Sequence, residues 1–521
     1  MADPPAPSTV AVIGLGALGL VALKNLLEEG FDATGYDKNS FIGGLWQYVD
    51  GPQTSVLEST VINISKERGC YTDFPFPEDV GSFATGEQVA KYLDDYTAHF
   101  SLADKIHLNT DVLGVTRGEK LNKWEIELSD KTGRSQKVLY DKVVLATGIN
   151  KLPCSPDIPG IEKFKGDVIH SVSYKRPTAF KKKKVLIIGL GNTAADTATT
   201  LVGHADKIYI SHRHGAFVIP RIVNGKPLDH GISHRMQTTL GFFQENFPTM
   251  AEKMITGALT KMQNQAFTLD PEWKFSPAPP ITQSVPIISD NLIDELRAGH
   301  ISSVGGLKRV IDGCIVELED GTQLEVDSII FCTGYKADFS ILGDADPSRN
   351  TTRHWAAAPG SNGKPLPRLY RNIFSLDHPD SLAIMGALAF MTPAFQAYDL
   401  ASMAVAQVWR GNTTLPSRDE MNSHVDEHHE WVCSLAARGS VYPGIVKAPG
   451  WMKWVNDAAG TGVNEYLGYG LAGWWYWCRN FAFCRMLMTG LSSPHVYRLF
   501  ETGKRKTWSG AREAIDEVNK R

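Results

Sequence analysis

Apolar positions along the chain fall into short β-branched runs that end in glycine, separated by stretches with helical spacing. Val10–Ile13 runs into Gly14-Leu-Gly16-Ala-Leu-Gly19, and Leu18–Leu27 then keeps a helical period. Asp32–Tyr36 reads as a second strand and ends at Asp37. The same order returns at Val185-Leu-Ile-Ile-Gly189-Leu-Gly191-Asn192-Thr193-Ala194-Ala195-Asp196, followed by the strand Lys207–Ser211. Two further buried runs, 141–148 and 327–335, close on the small-residue turns Thr147-Gly148 and Thr333-Gly334 and suit chain crossings between domains. Helices are expected at 87–100 and 395–406, an antiparallel stretch around Trp124–Leu128, and a helical then Pro-rich segment at about 230–300. The fold class this predicts is α/β, with two Rossmann-like dinucleotide-binding domains and a helical, aromatic C-terminal segment. The first domain is expected over 1–163 and 336–521, and the second, over 164–335, is inserted in it.

The glycine positions carry a physical requirement. Gly14 permits a tight turn, Gly16 lets backbone approach a pyrophosphate, and Gly19 allows close packing of helix on strand. The helix start adds free N–H groups and a positive dipole end. Asp37, 23 residues after Gly14, can accept hydrogen bonds from ribose hydroxyls, which suits a cofactor without a 2′-phosphate. After the strand at 207–211 the chain offers Ser211 and Arg213 in place of a carboxylate, which favours a 2′-phosphate and hence NADPH. Gly43-Gly44-Leu45-Trp46 reads either as backbone approaching a flat ligand or as a glycine turn beside a core tryptophan.

Composition narrows the function. With 53 basic and 57 acidic residues the net charge is -4, so there is no electrostatic footprint for nucleic acid. Seven scattered cysteines form no C-x-x-C and no metal spacing with histidine, so they read as reduced intracellular thiols and no metal site is expected. Met1–Pro7 lacks a signal-peptide pattern and reads as a disordered leader. Leu471–Leu491 is aromatic, but Arg479 and Arg485 interrupt it. It is expected to pack on the core or line a substrate entry, with an interfacial anchor as the alternative and no transmembrane anchor. The expected compartment is the cytoplasm; peripheral membrane association and a homodimer are left open.

Between the two halves lies Phe164-x-Gly166-x-x-x-His170-x-x-x-Tyr174. Together with both glycine turns, Gly43-Gly44-Leu45-Trp46, Asn63-Ile-Ser-Lys-Glu, Asp73-Phe-Pro, Ser211-x-Arg213, Thr333-Gly334-Tyr335 and Trp508-Ser-Gly-Ala-Arg512, this motif resembles the class B flavin-dependent monooxygenases, in their FMO (dimethylaniline monooxygenase-like) branch. The resemblance runs nearly the whole chain. It implies FAD on Gly14, Gly16, Ala17, Leu18, Gly19, Asp37, Gly44, Leu45, Trp46, Asn63, Thr147 and Gly148. It implies NADPH on Asn63, Gly189, Gly191, Asn192, Thr193, Ala194, Asp196, Ser211, Arg213, Thr333 and Gly334. It further implies that reduced flavin takes up O₂ as a hydroperoxide and passes one oxygen atom to nitrogen or sulfur of a small molecule. Asn63 matches the active-site asparagine, and His170 reads as part of a domain linker; taken alone, it reads as a structural histidine. The chain departs from the family pattern at Asp37, where glutamate is usual, and at Tyr398-Asp399 after Gln396-Ala397, where Arg-Trp is usual.

Three rivals share these features. A Baeyer–Villiger monooxygenase would act on a ketone, but that group usually carries tryptophan at the place of Tyr174. A disulfide reductase needs a cysteine pair near the flavin, and Cys70 stands alone there. A non-oxygenating NADPH oxidase or redox sensor on the same fold is the third, since fold does not fix function.

Overall fold

The computed structural model describes residues 7–118, 122–389 and 392–520. The expected leader, apart from Pro7, and the terminal Arg521 lie outside the described residues.

The first glycine-terminated strand, Thr9–Ile13, sits inside a seven-stranded sheet. It pairs in parallel with Asp32–Tyr36 on one side (Thr9 opposite Asp32) and with Lys142–Leu145 on the other (Val10 opposite Lys142). Ile106–His107 closes one edge, and Leu382–Ile384, Phe374–Ser375 and Leu369–Tyr370 extend the other. Successive side chains alternate between faces, so each face builds its own core. Val10, Val12 and Val144 join the large cluster with the helices, while Ala11, Ile13, Val143 and Leu145 meet Trp124 and Ile126 of a three-stranded antiparallel sheet.

The second sheet is all parallel, in the order Ile301–Val304, Lys207–Ser211, Lys184–Ile188, Ser328–Phe331, Asp167–His170. Its inner strands Lys184–Ile188 and Ser328–Phe331 are buried on both faces, as a sheet covered on both sides requires. Val185 and Ile187 face one cluster and Leu186 and Ile188 the other. This sheet interrupts the first one in sequence. The chain leaves through Leu152–Pro153 and returns through Tyr335–Lys336, and these two segments pair antiparallel.

The expected helices appear at Gly86–His99 and Ala394–Trp409. The 230–300 segment forms His234–Asn246 and Pro248–Ala266 before its Pro-rich stretch. Leu471–Leu491 packs on the core, as expected, with only part of its surface. It is two short helices, Leu471–Arg479 and Phe481–Thr489, broken at Asn480, and much of its aromatic surface does not pack on the core. Leu471 is 92% exposed and Trp474 and Trp475 more than half exposed, while Phe483 and Leu487 turn inward. Arg479 stacks on Trp475 at 3.5 Å. No helix of the described residues is long and apolar enough to cross a membrane.

A buried ionic network ties the C-terminal part to the first helix. Arg498, 1% exposed, bonds Glu28 at 2.8 Å and Asn25 at 2.6 Å and lies 3.3 Å from Asp73. Lys24 pairs with Asp73 and, at 2.9 Å, with Glu28. Asp399, where the sequence left the family pattern, accepts from the Thr72 amide and hydroxyl and from Asn25 Nδ2, each at 2.8 Å. Burial alone would lower the Arg498 pKa, but the Asp73, Asp399 and Glu28 carboxylates outweigh it and hold the guanidinium charged. Burial and the Asp73 charge raise the Asp399 carboxyl, whereas Arg498 and Lys24 overcome burial to keep Asp73 low.

Candidate functional site

The two glycine turns share one construction. Gly14 has φ +94°, and a Cβ there would lie 2.7 Å from the Ala146 carbonyl oxygen. Gly189 has φ +122°, with the Cys332 carbonyl oxygen at 2.6 Å from the same hypothetical atom. Each turn thus lies on the strand that ends in Thr147-Gly148 or Thr333-Gly334, and both positions demand glycine for space and for conformation. Ligands in such sheets bind beyond the carboxyl ends of the strands, where these turns sit.

In the first turn a Cβ on Gly19 would meet the Gly14 carbonyl oxygen at 1.8 Å, so helix and turn are in backbone contact. Gly16 and Gly43 form a parallel bridge, and a Cβ on Gly44 would come within 3.0 Å of Gly16 Cα. The helix Ala17–Glu28 starts at Gly16 with no side-chain cap, which leaves its first amides for a ligand. Ala17 is buried, Leu18 partly so, and Leu45 is exposed. Trp46 is partly buried, edge-on to Phe395 at 6.2 Å, and so belongs to the rim of the core. Asp37 is 8% exposed, and its carboxylate accepts from the Leu15 amide at 2.7 Å and the Asn39 amide at 2.9 Å. It therefore shapes the turn itself, alongside the ribose contact expected of it.

In the second turn Gly191 caps the helix Asn192–Leu201, again without a side-chain bond, and a Cβ there would meet nothing within 4 Å. Asn192 faces away from this space: Oδ1 accepts from the Ile288 amide at 2.8 Å and Nδ2 donates to the Pro286 carbonyl at 3.3 Å. Thr193 is exposed and Ala194 buried. Asp196 makes no side-chain hydrogen bond among the described residues, and burial, eased by the Arg221 charge, pushes its carboxyl up to about 6. Ser211 is 1% exposed and donates to the Gly305 carbonyl at 2.8 Å, so its hydroxyl hydrogen is already engaged. Arg213 is exposed, lies against Gly306, and has no carboxylate partner among the described residues. Of the pair expected to read a 2′-phosphate, only Arg213 offers an open cation.

The eleven-residue motif builds the crossing between the sheets. Its centre is the edge strand Asp167–His170, and a Cβ on Gly166 would lie 2.2 Å from the Asp327 carbonyl oxygen. Phe164 bridges to Gly313. His170 Nε2 lies 3.0 Å from the Gly334 carbonyl, while Nδ1 accepts from the Val172 amide at 3.2 Å. Burial lowers the His170 pKa, so it stands as a neutral donor to Gly334. Tyr174 is buried beside Thr200, hydroxyl to hydroxyl at 2.8 Å, and burial raises it to about 12. Thr333 donates to the Cys154 carbonyl.

Asn63 is exposed and bonds to no described residue, but the loop around it is held from the second domain. Arg221 donates through Nε to the Ile62 carbonyl at 2.9 Å and through Nη2 to the Val61 carbonyl at 2.8 Å. The Ser65 amide donates to Asp229 at 3.0 Å, and His230 meets Glu67 at 3.2 Å. Sequence reasoning missed Arg221, Asp229 and His230, which carry no motif spacing and lie in the turns that flank the short strands Ile222–Val223 and Lys226–Pro227. The structure thus places the two turns at the carboxyl ends of internal strands, Arg213 just past the neighbouring strand Lys207–Ser211, and the motif at the crossing between the sheets.

Comparison with known proteins bears on the family and the fold. A family model described as flavin-binding monooxygenase-like matches residues 7–521. Monooxygenase aurF of Gibberella zeae is 50% identical over 513 residues, covering 98% of this chain and 97% of that protein. S-allyl-L-cysteine S-oxygenase from Allium sativum shares the fold with a TM-score of 0.64 at 20% identity, over 99% of each chain. Cyclohexanone monooxygenase from Rhodococcus sp. Phi1, bound to NADP+, shares it with a TM-score of 0.59 at 18% identity, over 89% of this chain and 99% of that one. The chain belongs to the flavin-binding monooxygenase-like family, and its enzyme class is that of the flavin-containing monooxygenases.

Proposed function

We propose that the protein is an FAD- and NADPH-dependent monooxygenase that places one oxygen atom from O₂ on a nucleophilic nitrogen or sulfur of a small organic molecule. The observation that carries this reading is the pair of matched glycine turns, with Asn63 exposed on a loop that Arg221 ties to the second sheet's part of the chain. The residues fit both dinucleotides. Uncapped amides at Gly16–Gly19 and at Gly191–Thr193 would hold the pyrophosphates, and the open space at Gly191 suits a phosphate. Arg213 would meet the 2′-phosphate, with Thr333-Gly334 and Asp196 beside the rest of the nicotinamide cofactor. Thr147-Gly148 and Gly44-Leu45-Trp46 would line the flavin.

The bound flavin supplies the redox and O₂ chemistry, and the chain's residues position and shield it. Asn63, exposed and without a hydrogen-bond partner among the described residues, would offer its amide to the bound groups, as donor to an oxygen and acceptor from an amide. His170 holds the Gly334 carbonyl and so fixes the turn that would face NADPH.

The test is aerobic turnover of NADPH with a tertiary amine, a thioether and a cyclic ketone as separate probes, scoring oxygenated product and H₂O₂. N- or S-oxide from the first two supports the proposal. Lactone alone would assign a Baeyer–Villiger enzyme, whose fold cyclohexanone monooxygenase shares. H₂O₂ without product from any probe would assign an oxidase. Asn63→Ala should lower product per NADPH; an unchanged yield removes Asn63 from the mechanism. The compartment we propose is the cytoplasm, with membrane-surface contact through the exposed aromatic hairpin at 471–489.

A further inference from the structure

We propose that Arg221 is a positioning residue that couples seating of the nicotinamide dinucleotide at the Gly189–Asn192 turn to the placement of Asn63; this rests on the reading of Asn63 and of the second turn given above. Because Asn63 has no hydrogen-bond partner among the described residues, its direction is set by the backbone on either side. Within its own domain that backbone is held by the Ile62 amide on the Ala84 carbonyl and by the Lys66 amide on the Ser82 carbonyl. The two carbonyls that precede Asn63 are both taken by Arg221, through two arms of one planar group. A lysine brings its donors on one flexible ammonium and lacks the fixed planar fork that spans both carbonyls and Asp290 at once.

Arg221 is itself aligned from behind. Its Nη1 meets Asp290 Oδ2 at 2.9 Å, and its own amide donates to Asp290 Oδ1 at 2.8 Å. Two residues before Asp290, the Ile288 amide donates to Asn192 Oδ1, and Asn192 also donates to the Pro286 carbonyl. Asn192 is the first residue of the helix whose start would carry the pyrophosphate. An unbroken series of polar contacts and short backbone therefore runs from that helix start, through 286–290 and Arg221, to the carbonyls of Val61 and Ile62. The Arg221 side chain is only 12% exposed, so water competes poorly for these bonds. Asp229 and His230 hold the far side of the loop, which leaves Arg221 as the link on the near side.

The decisive experiment is hydrogen–deuterium exchange of the full-length flavoprotein with and without NADP⁺, for wild type, Arg221→Ala and Arg221→Lys. In wild type, NADP⁺ should slow exchange at both Gly189–Leu201 and the 61–68 loop, the latter by about five- to tenfold. In Arg221→Ala, protection at Gly189–Leu201 should remain and protection at 61–68 should vanish; Arg221→Lys should restore part of it. Equal protection of 61–68 in Arg221→Ala overturns the proposal. A second readout is product per NADPH. Arg221→Ala should shift turnover from product to H₂O₂ with a smaller change in the NADPH KM, and should add no further loss to Asn63→Ala. A double variant that loses product beyond Asn63→Ala also overturns it. If wild type oxygenates none of the probes, the functional reading of the site fails, while the exchange data still decide whether Arg221 carries the coupling.

Discussion

Gly19 and Gly191 occupy related turns, yet the structure gives them opposite tolerances. A Cβ at Gly19 would collide with the Gly14 carbonyl, so Gly19→Ala should pry the first helix from its strand and lower both Tm and flavin content. At Gly191 the backbone is extended and the space is open, so Gly191→Ala should melt like wild type but raise the NADPH KM by about tenfold or more. Arg213→Ala should raise the NADPH KM and leave the NADH KM nearly unchanged, since a charge-assisted bond contributes about 1.5–3 kcal/mol. Steady-state kinetics with the two cofactors checks both. Asp196 predicts a pH effect on stability. Its folded pKa, about 6, lies above the ordinary 3.8, so the folded state binds the extra proton. Stability from this group is full below about pH 4 and declines as pH rises to about 6, by about 3 kcal/mol in all. Asp196→Asn should flatten the dependence of Tm on pH across that window; an unchanged slope would remove Asp196 as its source. Glycine spacing was legible in the sequence because steric demands write residue type directly. The engaged hydroxyl of Ser211 and the two amides on Asp37 were not, because the choice of hydrogen-bond partner leaves no spacing.

Helix 394–409 shows where legibility ends at the scale of elements. Its apolar period was plain, but Asp399 stood out only as a departure from a pattern. Its reason is that Asn25, Thr72 and Arg498, from three distant segments, converge on it in the core. No local window holds that information. Removing one member leaves uncompensated buried charge, so Arg498→Ala should cost about 3–5 kcal/mol. Arg479→Ala, which loses only an exposed cation–π contact, should cost about 0.5–1 kcal/mol. Thermal melts of the two variants side by side test the contrast, and equal losses would deny the network its role. The break at Asn480 was likewise hidden, since the flanking residues keep helical character and only the backbone there, at φ -129° and ψ 40°, shows the turn.

For the whole molecule, the two strand-turn-helix units and the chain crossings near 148 and 335 were legible from sequence-local periods, whereas the order of strands within each sheet was not. Nor was how the insert grips the Asn63 loop, because those contacts are made between surfaces. The exposed hairpin at 471–489 presents Leu471, Trp474, Trp475 and Phe481, and no acidic residue occurs from Tyr466 to Phe500. Co-sedimentation with anionic vesicles is expected, to be weakened in Trp474→Ser/Trp475→Ser and by high salt; equal recovery of both proteins would remove the hairpin as a contact. The pairing of Leu152–Pro153 with Tyr335–Lys336 means that the insert begins and ends at one place. All seven strands of the first sheet, and every residue of its large cluster, lie outside 154–334. Deleting that span and joining its ends would preserve each strand's neighbours in the first sheet, at the loss of the contacts that Arg221, Asp229 and Gln237 make with the rest of the chain.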